Sequence, residues 1–479
     1  MNNYQQDEGV SLHGHSQPEP IGLEYIAASL AQVGFLCNFR DSNELTVSTA
    51  NDSMRLCLLS ALSCELPQII AAALRARTRG ETTVLGGYHA SGNHESLADM
   101  PFDYVVIGEG EFVSQAIAKA VLDKDNSDLD RYESNSVGLA RVVRAPRIAD
   151  LNSLPWPVRS ESRMSQYQYN LHDLMWPTKS KQRNTALVLA SRGCAHDCDF
   201  CASSTVWGTG LRLRTPENVV DELKSLKQNF GTNTIVFIDQ SLGQSKRWSL
   251  DLCQQIQAAN LGLNWYHQSN LNISRDVIKA MASAGCTKIG FGLEGISPRV
   301  RSLIKPRNPH ELDSVNQLFD FCNSLGIFVK AYLMIGFPWE TEEIVKEYFE
   351  WLPKIRANQI KISYFTPFPG TRDWTRFKSQ LVTANWTDFN TVRMPVVYNP
   401  NISVDRYHEI RTALFISFYA SPTYADLTAQ MIGAYPHYIE SYREFADFLH
   451  HFDMVSGDVP WLQWVRYGLG LKTSVAAGC

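Results

Sequence analysis

Six strand-like segments recur between Thr185 and Phe368, each separated from the next by residues with helical spacing of apolar positions. They read TALVLASRG, TIVFIDQS, LNWYHQSN, KIGFGLEG, VKAYLMIGF and IKISYFTPF, with helices such as 216–230 and 309–325 between them. Strand alternating with helix predicts a parallel sheet, because parallel neighbours must be joined by a crossover. Six such units predict an open or partial (β/α)6 barrel over residues 181–389.

A smaller alternating series precedes it. Residues 20–35 have the spacing of an amphipathic helix stopped at Gly34, and Arg55–Leu62 reads as a buried strand. A helix closed by Gly80 follows, then TTVLGGYHA and FDYVVIGEGEF, each a strand running into a turn or loop. Residues 1–123 are therefore expected to form a small Rossmann-like parallel α/β domain. The polar stretch 124–180 reads as a linker. Residues 390–479 turn helical and aromatic, as a separate helical cap does. In the cap, Tyr407, Phe415, Phe418, Tyr419, Trp461 and Trp464 offer a cover for an apolar ligand, although helical spacing reads first as core.

With 44 Lys and Arg against 49 Asp and Glu the net charge is −5, and no basic block occurs. A nucleic-acid partner is not expected. No run of eighteen apolar residues exists and the amino end lacks an apolar core, so neither a membrane span nor a signal peptide is expected. Ten cysteines in such a chain point to a reducing compartment, the cytoplasm.

Three of the ten stand apart. Cys194, Cys198 and Cys201, in SRGCAHDCDFCASS, follow directly on the first barrel strand with the spacing C-x3-C-x2-C. Thiolates this close on a loop suit zinc or iron–sulfur chemistry. A structural zinc wants a fourth ligand, and His196 is awkwardly placed for it. Three ligands to a cubane cluster leave one iron open to a substrate or cofactor. The bare spacing also leaves coincidence as an alternative. Cys253, Cys286 and Cys322 are spread through helical or strand contexts and read as core, and Cys479 as an inert terminal thiol.

In its cysteine spacing, with aromatic Phe200 before the third cysteine, the sequence resembles the radical S-adenosylmethionine (SAM) superfamily. LGGYHAS, FDYVVIGEGE, IGFGLEGIS, YLMIGFPWET and YFTPFPGT resemble, in order, motifs of the subfamily with an amino-terminal cobalamin-binding domain. The resemblance implies that Cys194, Cys198 and Cys201 hold a 4Fe–4S cluster whose fourth iron binds S-adenosylmethionine. Reductive cleavage of that molecule then gives a 5′-deoxyadenosyl radical, in a site that must be dry and closed. It further implies Asp239 and Glu294 as contacts for the methionine polar groups, and Ile335, Gly336, Thr366 and Pro367 near adenine. Lys330, Arg212 and Arg214 are further polar candidates, each read first as an exposed or capping charge.

For cobalamin the matched positions are Ser60, Leu62, Gly86 and Gly87. Two departures stand out. The histidine motif D-x-H-x-x-G is absent, with Asn43 where histidine would stand, and no apolar strand precedes the first helix. Either the first strand of the sheet is lost or the chain start is truncated, and a sheet missing that strand is expected to expose an edge and part of the cofactor cleft.

The resemblance implies an enzyme with a small-molecule substrate and a reducing partner such as flavodoxin or ferredoxin. Its best reading is cobalamin-dependent methylation of an unactivated carbon in a metabolite or natural-product intermediate. The alternative is cobalamin-independent dehydration, epimerisation or rearrangement with a vestigial cobalamin domain, for which Tyr332 and Tyr364 are the hydrogen-donor candidates. A methylthiotransferase or a non-enzymatic scaffold fits the triad and its surroundings less well.

Overall fold

The structure, a computed structural model, describes residues 19–41, 43–50, 55–165, 167, 184–305 and 311–451. The chain's beginning, Trp461, Trp464 and Cys479 lie outside the described residues.

Fifteen strands are described: β1 (Leu36–Asp41), β2 (Glu44–Ser48), β3 (Leu56–Ser60), β4 (Thr82–Gly86), β5 (Tyr104–Ile107), β6 (Ser134–Val137) and β7 (Ala140–Arg144), then β8 (Thr185–Val188), β9 (Ser191–Arg192), β10 (Arg212–Leu213), β11 (Thr234–Phe237), β12 (Asn264–Ser269), β13 (Cys286–Glu294), β14 (Phe328–Ile335) and β15 (Gln359–Tyr364). The first seven form one sheet in the order β1-β2-β3-β4-β5-β7-β6. Within it β3, β4, β5 and β7 run parallel, while β1, β2 and β6 are antiparallel to their neighbours. Helix Ile21–Gln32 packs Leu23, Ala27 and Leu30 on one face, and helix Leu66–Thr78 packs Ile69, Ala73 and Ala76 on the other.

Two features differ from expectation. The place beside β3 is filled, not empty. The β1–β2 hairpin lays Val47 opposite Leu56, antiparallel, so an antiparallel strand stands beside the first parallel one. Its outer strand β1 is polar and exposed, with Leu36 55% accessible, and so carries no apolar run to betray it. At this edge Glu44, Cys57 and Glu81 cluster, and Arg40 and Arg79 neutralise the two carboxylates at 2.7–2.9 Å. The stretch expected as linker also contributes β6 and β7, which extend the same sheet from β5.

The second sheet has six parallel strands in the order β15-β14-β13-β12-β11-β8, an open barrel as expected. Side-chain caps start three of its helices. Thr215 accepts from Asn218 N ahead of Pro216, and Ser274 and Thr341 do the same for the helices after β12 and β14. Outward-facing Ile289, Phe291, Ala331 and Ile362 pack under those helices. The carboxyl-terminal helices Val404–Tyr419, Pro422–Ala434 and Ile439–His451 close over the same core. Tyr407, Phe415, Phe418 and Tyr419 are buried there, so these cap aromatics serve as packing. Cys253, Cys286 and Cys322 lie in this core too. No helix of the described residues is long and apolar enough to cross a membrane.

Candidate active site

The three cysteines lie on the loop that leaves β9. β9 pairs with β10 as a short ribbon, and Gly193 sits at φ +84°, where a Cβ would meet the Gly210 carbonyl oxygen at 2.2 Å. Only glycine lets the loop turn this tightly against its partner. Beyond it, Cys201 N donates to Cys198 O at 3.1 Å, folding the last two cysteines back. All three thiols are half-buried, free, and on the wall of one cavity of about 950 Å³ at the carboxyl ends of the barrel strands. His196 lies on the same wall, and its backbone N–H points at Cys194 Sγ, 3.4 Å away.

Buried charge fixes the loop's root. Arg192 Nη1 meets Glu109 Oε2 at 3.0 Å and Nη2 meets Glu111 Oε1 at 2.5 Å, with Arg212 Nη2 2.5 Å from the other Glu109 oxygen. The Arg192 guanidinium also lies 4.7 Å from the Trp207 ring and 5.2 Å from that of Tyr25. The outer end of the loop is held by Arg372, which binds Asp197 at 2.9 Å and Asp199 at 2.5 Å. Arg214 is a structural ion pair, 2.6 Å from Glu222.

The residues matched to S-adenosylmethionine divide. Glu294 is on the cavity wall, at φ +63° on a non-glycine residue, with Oε1 3.1 Å from Lys305 Nζ. A strained backbone at this point aims the carboxylate inward. Thr366 is on the wall as well. Asp239 is not among the lining residues. It is buried, accepts from Ala190 N at 3.2 Å and from Ser191 Oγ, and so ties β11 to the root of the cysteine loop. Burial pushes its carboxyl up to about 6. Gln240, the next residue, faces the cavity instead and receives Gly193 N at 3.1 Å. Ile335 and Gly336 stand just behind the wall formed by Leu333 and Met334, and Pro367 between the lining residues Thr366 and Phe368.

Tyr332 reaches into the barrel, its hydroxyl 2.5 Å from that of Tyr266. Tyr364 touches the wall but sends its hydroxyl the other way, to His408 Nδ1 at 3.0 Å. Lys330 is buried inside the barrel, 5.1 Å from the Tyr332 ring.

In the amino-terminal domain, Ser60, Leu62, Gly86 and Gly87 converge at the carboxyl ends of β3 and β4. A Cβ on Gly87 (φ +94°) would lie 3.0 Å from Ser60 Oγ and Ala61 O, whereas beside Gly86 there is open space. Leu62 is 49% accessible, an apolar side chain left uncovered at this edge. Next along, Trp207 Nε1 of the barrel donates to the Tyr88 hydroxyl at 2.8 Å, joining this edge to the cysteine loop.

Residues 188–352 match the family model described as the radical SAM superfamily. The chain is 29% identical to an uncharacterised methyltransferase of Pyrococcus horikoshii, over 71% of this chain and 72% of that protein. It is 25% identical to hopanoid C-3 methylase of Methylococcus capsulatus, over 78% and 71%. Its fold is shared with the radical S-adenosylmethionine methyltransferase TsrM of Kitasatospora setae, whose structure has cobalamin and a [4Fe–4S] cluster bound. The TM-score is 0.54 at 16% identity, covering 81% of this chain and 86% of that one.

Residues 188–352 form a radical SAM domain. Its donor set fits the cofactors of a radical SAM enzyme. Three free thiols from one loop on the wall of one cavity are soft donors that suit an iron–sulfur cluster. The exposed Leu62, the glycine pair and the open space beside Gly86 fit a large flat cofactor lying on the sheet end. Sequence reasoning passed over Arg192, Glu109, Glu111, Gln240 and Lys305. The complementary charges of IGEGE and SRGC were the available signal, but opposite charges 81 residues apart do not announce a contact.

Proposed function

We propose that this radical SAM enzyme is a cobalamin-dependent methyltransferase acting on an unactivated carbon of a small molecule. The observation carrying this reading is the juxtaposition of two half-sites. The thiol triad lines the barrel cavity, and the cradle of Ser60, Leu62, Gly86 and Gly87 adjoins it through the Tyr88–Trp207 hydrogen bond. Relatives named as a methyltransferase and a methylase align over 71% and 78% of this chain.

In this reading Cys194, Cys198 and Cys201 hold the cluster, and Gln240, Glu294 and Lys305 orient the polar end of S-adenosylmethionine. When bound, the cluster supplies the electron that cleaves S-adenosylmethionine, and the corrinoid carries the methyl group. Asp239 works through the loop, holding Ser191 and Ala190 so that Gly193 can meet Gln240. Phe200, Phe337, Phe365 and Phe389 form an apolar wall behind the triad that keeps water out. A flavodoxin- or ferredoxin-type reductant and a cytoplasmic setting complete the proposal.

The second reading, hydrogen-atom chemistry without cobalamin, is favoured by one observation. Tyr332 presents a hydroxyl, already paired with Tyr266, inside the cavity. Tyr364 is the weaker donor because its hydroxyl is turned away. Anaerobic purification with cobalamin supplied, read by optical absorption, separates the two. About one corrinoid retained per chain supports methyl transfer, and radical cleavage by protein that retains none supports the second reading.

A further inference from the structure

The floor of the barrel is basic. Lys288, Lys330 and Lys361 lie on the adjacent strands β13, β14 and β15. Lys288 Nζ donates to Gln359 Oε1 at 2.8 Å and lies 5.5 Å from the Tyr266 ring, and Lys330 packs on Tyr332. These two are accommodated by their surroundings.

Lys361 is different. It stands beside Tyr332 in the parallel register and two residues before Ser363 on the same face of β15. Tyr332 and Ser363 both line the cavity, so Lys361 sits one layer below them. It keeps partial access while Ile360 and Ile362 on either side are 4% and 0% exposed. Among the described residues no carboxylate reaches its ammonium, and the ionisable groups near it, Arg411 and Lys330, are both basic. Arg411 is engaged with the carbonyls of Ile362 at 2.9 Å and Val392 at 3.1 Å. The acids on the cavity wall are committed elsewhere, Glu294 to Lys305 and Asp197 and Asp199 to Arg372. Burial, then Arg411, lower the Lys361 pKa, as they do for a cation without a counter-ion. An enclosed ammonium among like charges is costly, and an anionic ligand relieves that cost.

We propose that the substrate carries a carboxylate or phosphate, and that Lys361 grips it at the barrel floor, below the carbon presented to the cluster. The proposal rests on the reading of this cavity as the active site and adds the class of substrate. It also gives the barrel a second anchor, so that the reacting carbon is set by a contact at each end.

The test uses the full-length, anaerobically reconstituted enzyme and isothermal titration with inorganic phosphate, acetate and, as a neutral control, acetamide. Expected is saturable binding of phosphate or acetate at one per chain, no binding of acetamide, and about tenfold weaker anion binding in both Lys361→Met and Lys361→Gln. The preferred anion tells phosphate from carboxylate. Absence of saturable anion binding to the wild type, or undiminished binding in both variants, overturns the proposal. Release of 5′-deoxyadenosine by the wild type in the same preparation reports separately on the cavity as active site, because the titration needs no turnover.

Discussion

Arg192, two residues ahead of the first loop cysteine, places Nη1 3.0 Å from Oε2 of Glu109, a residue of the other domain. Glu111 takes the second nitrogen, and all three groups are buried. The amino-terminal domain thus grips the root of the cysteine loop through charge with no water to compensate a missing partner. Removing one member strands the others, which typically costs about 3–5 kcal/mol. Arg192→Met is therefore expected to lower unfolding stability by about that amount and to reduce iron incorporated on reconstitution. Denaturant unfolding and iron analysis check it, and unaltered iron content would show that the clamp does not position the loop.

Gly87→Ala tests the cradle. The new Cβ meets Ser60 Oγ and Ala61 O at 3.0 Å from a left-handed backbone, so the turn must shift. The expected result is loss of most bound corrinoid, read by absorption, with cluster content unchanged. Loss of both together points instead to a folding defect.

Glu294→Gln removes the negative charge from the cavity wall while keeping its shape. S-adenosylmethionine binding to the reconstituted enzyme is expected to weaken about tenfold, the scale of one charge-assisted hydrogen bond. Equal affinity in the variant would leave Glu294 only the task of neutralising Lys305.

Glu340 gives a pH signature. Its Oε2 accepts from Gly336 N at 2.7 Å, Phe337 N at 3.1 Å and Tyr407 at 2.7 Å, yet burial pushes the carboxyl up to about 7 from 4.5. Between those values the folded state binds the proton more tightly than the unfolded chain, so stability from this group falls as pH rises through the window. From pH 5 to 8 the wild type is expected to lose about 2 kcal/mol more than Glu340→Gln, measured by denaturant unfolding at each pH. Parallel curves for the two proteins would contradict it.

The barrel was legible because its strands are buried on both faces and read as apolar runs, as TIVF and FVKAYLMI do. The β1–β2 hairpin was not, since the outer strand LCNFRD is an exposed edge with no such run. At the site, the cysteine spacing located the loop, but residue-level roles turned on side-chain direction. Asp239 faces the loop root while its neighbour Gln240 faces the cavity, and Tyr364 turns outward where Ser363 turns in. Strand-end motifs place a residue to within one position, and one position reverses the face. The Arg192–Glu109 contact needed two domains already folded.

The most direct test of the central claim measures products from S-adenosylmethionine in anaerobically reconstituted protein, with and without cobalamin, under a strong reductant. Expected are 5′-deoxyadenosine that disappears in Cys194→Ala, and S-adenosylhomocysteine that forms only when corrinoid is bound. Full 5′-deoxyadenosine release by protein that retains no corrinoid and forms no S-adenosylhomocysteine when cobalamin is supplied would contradict the claim.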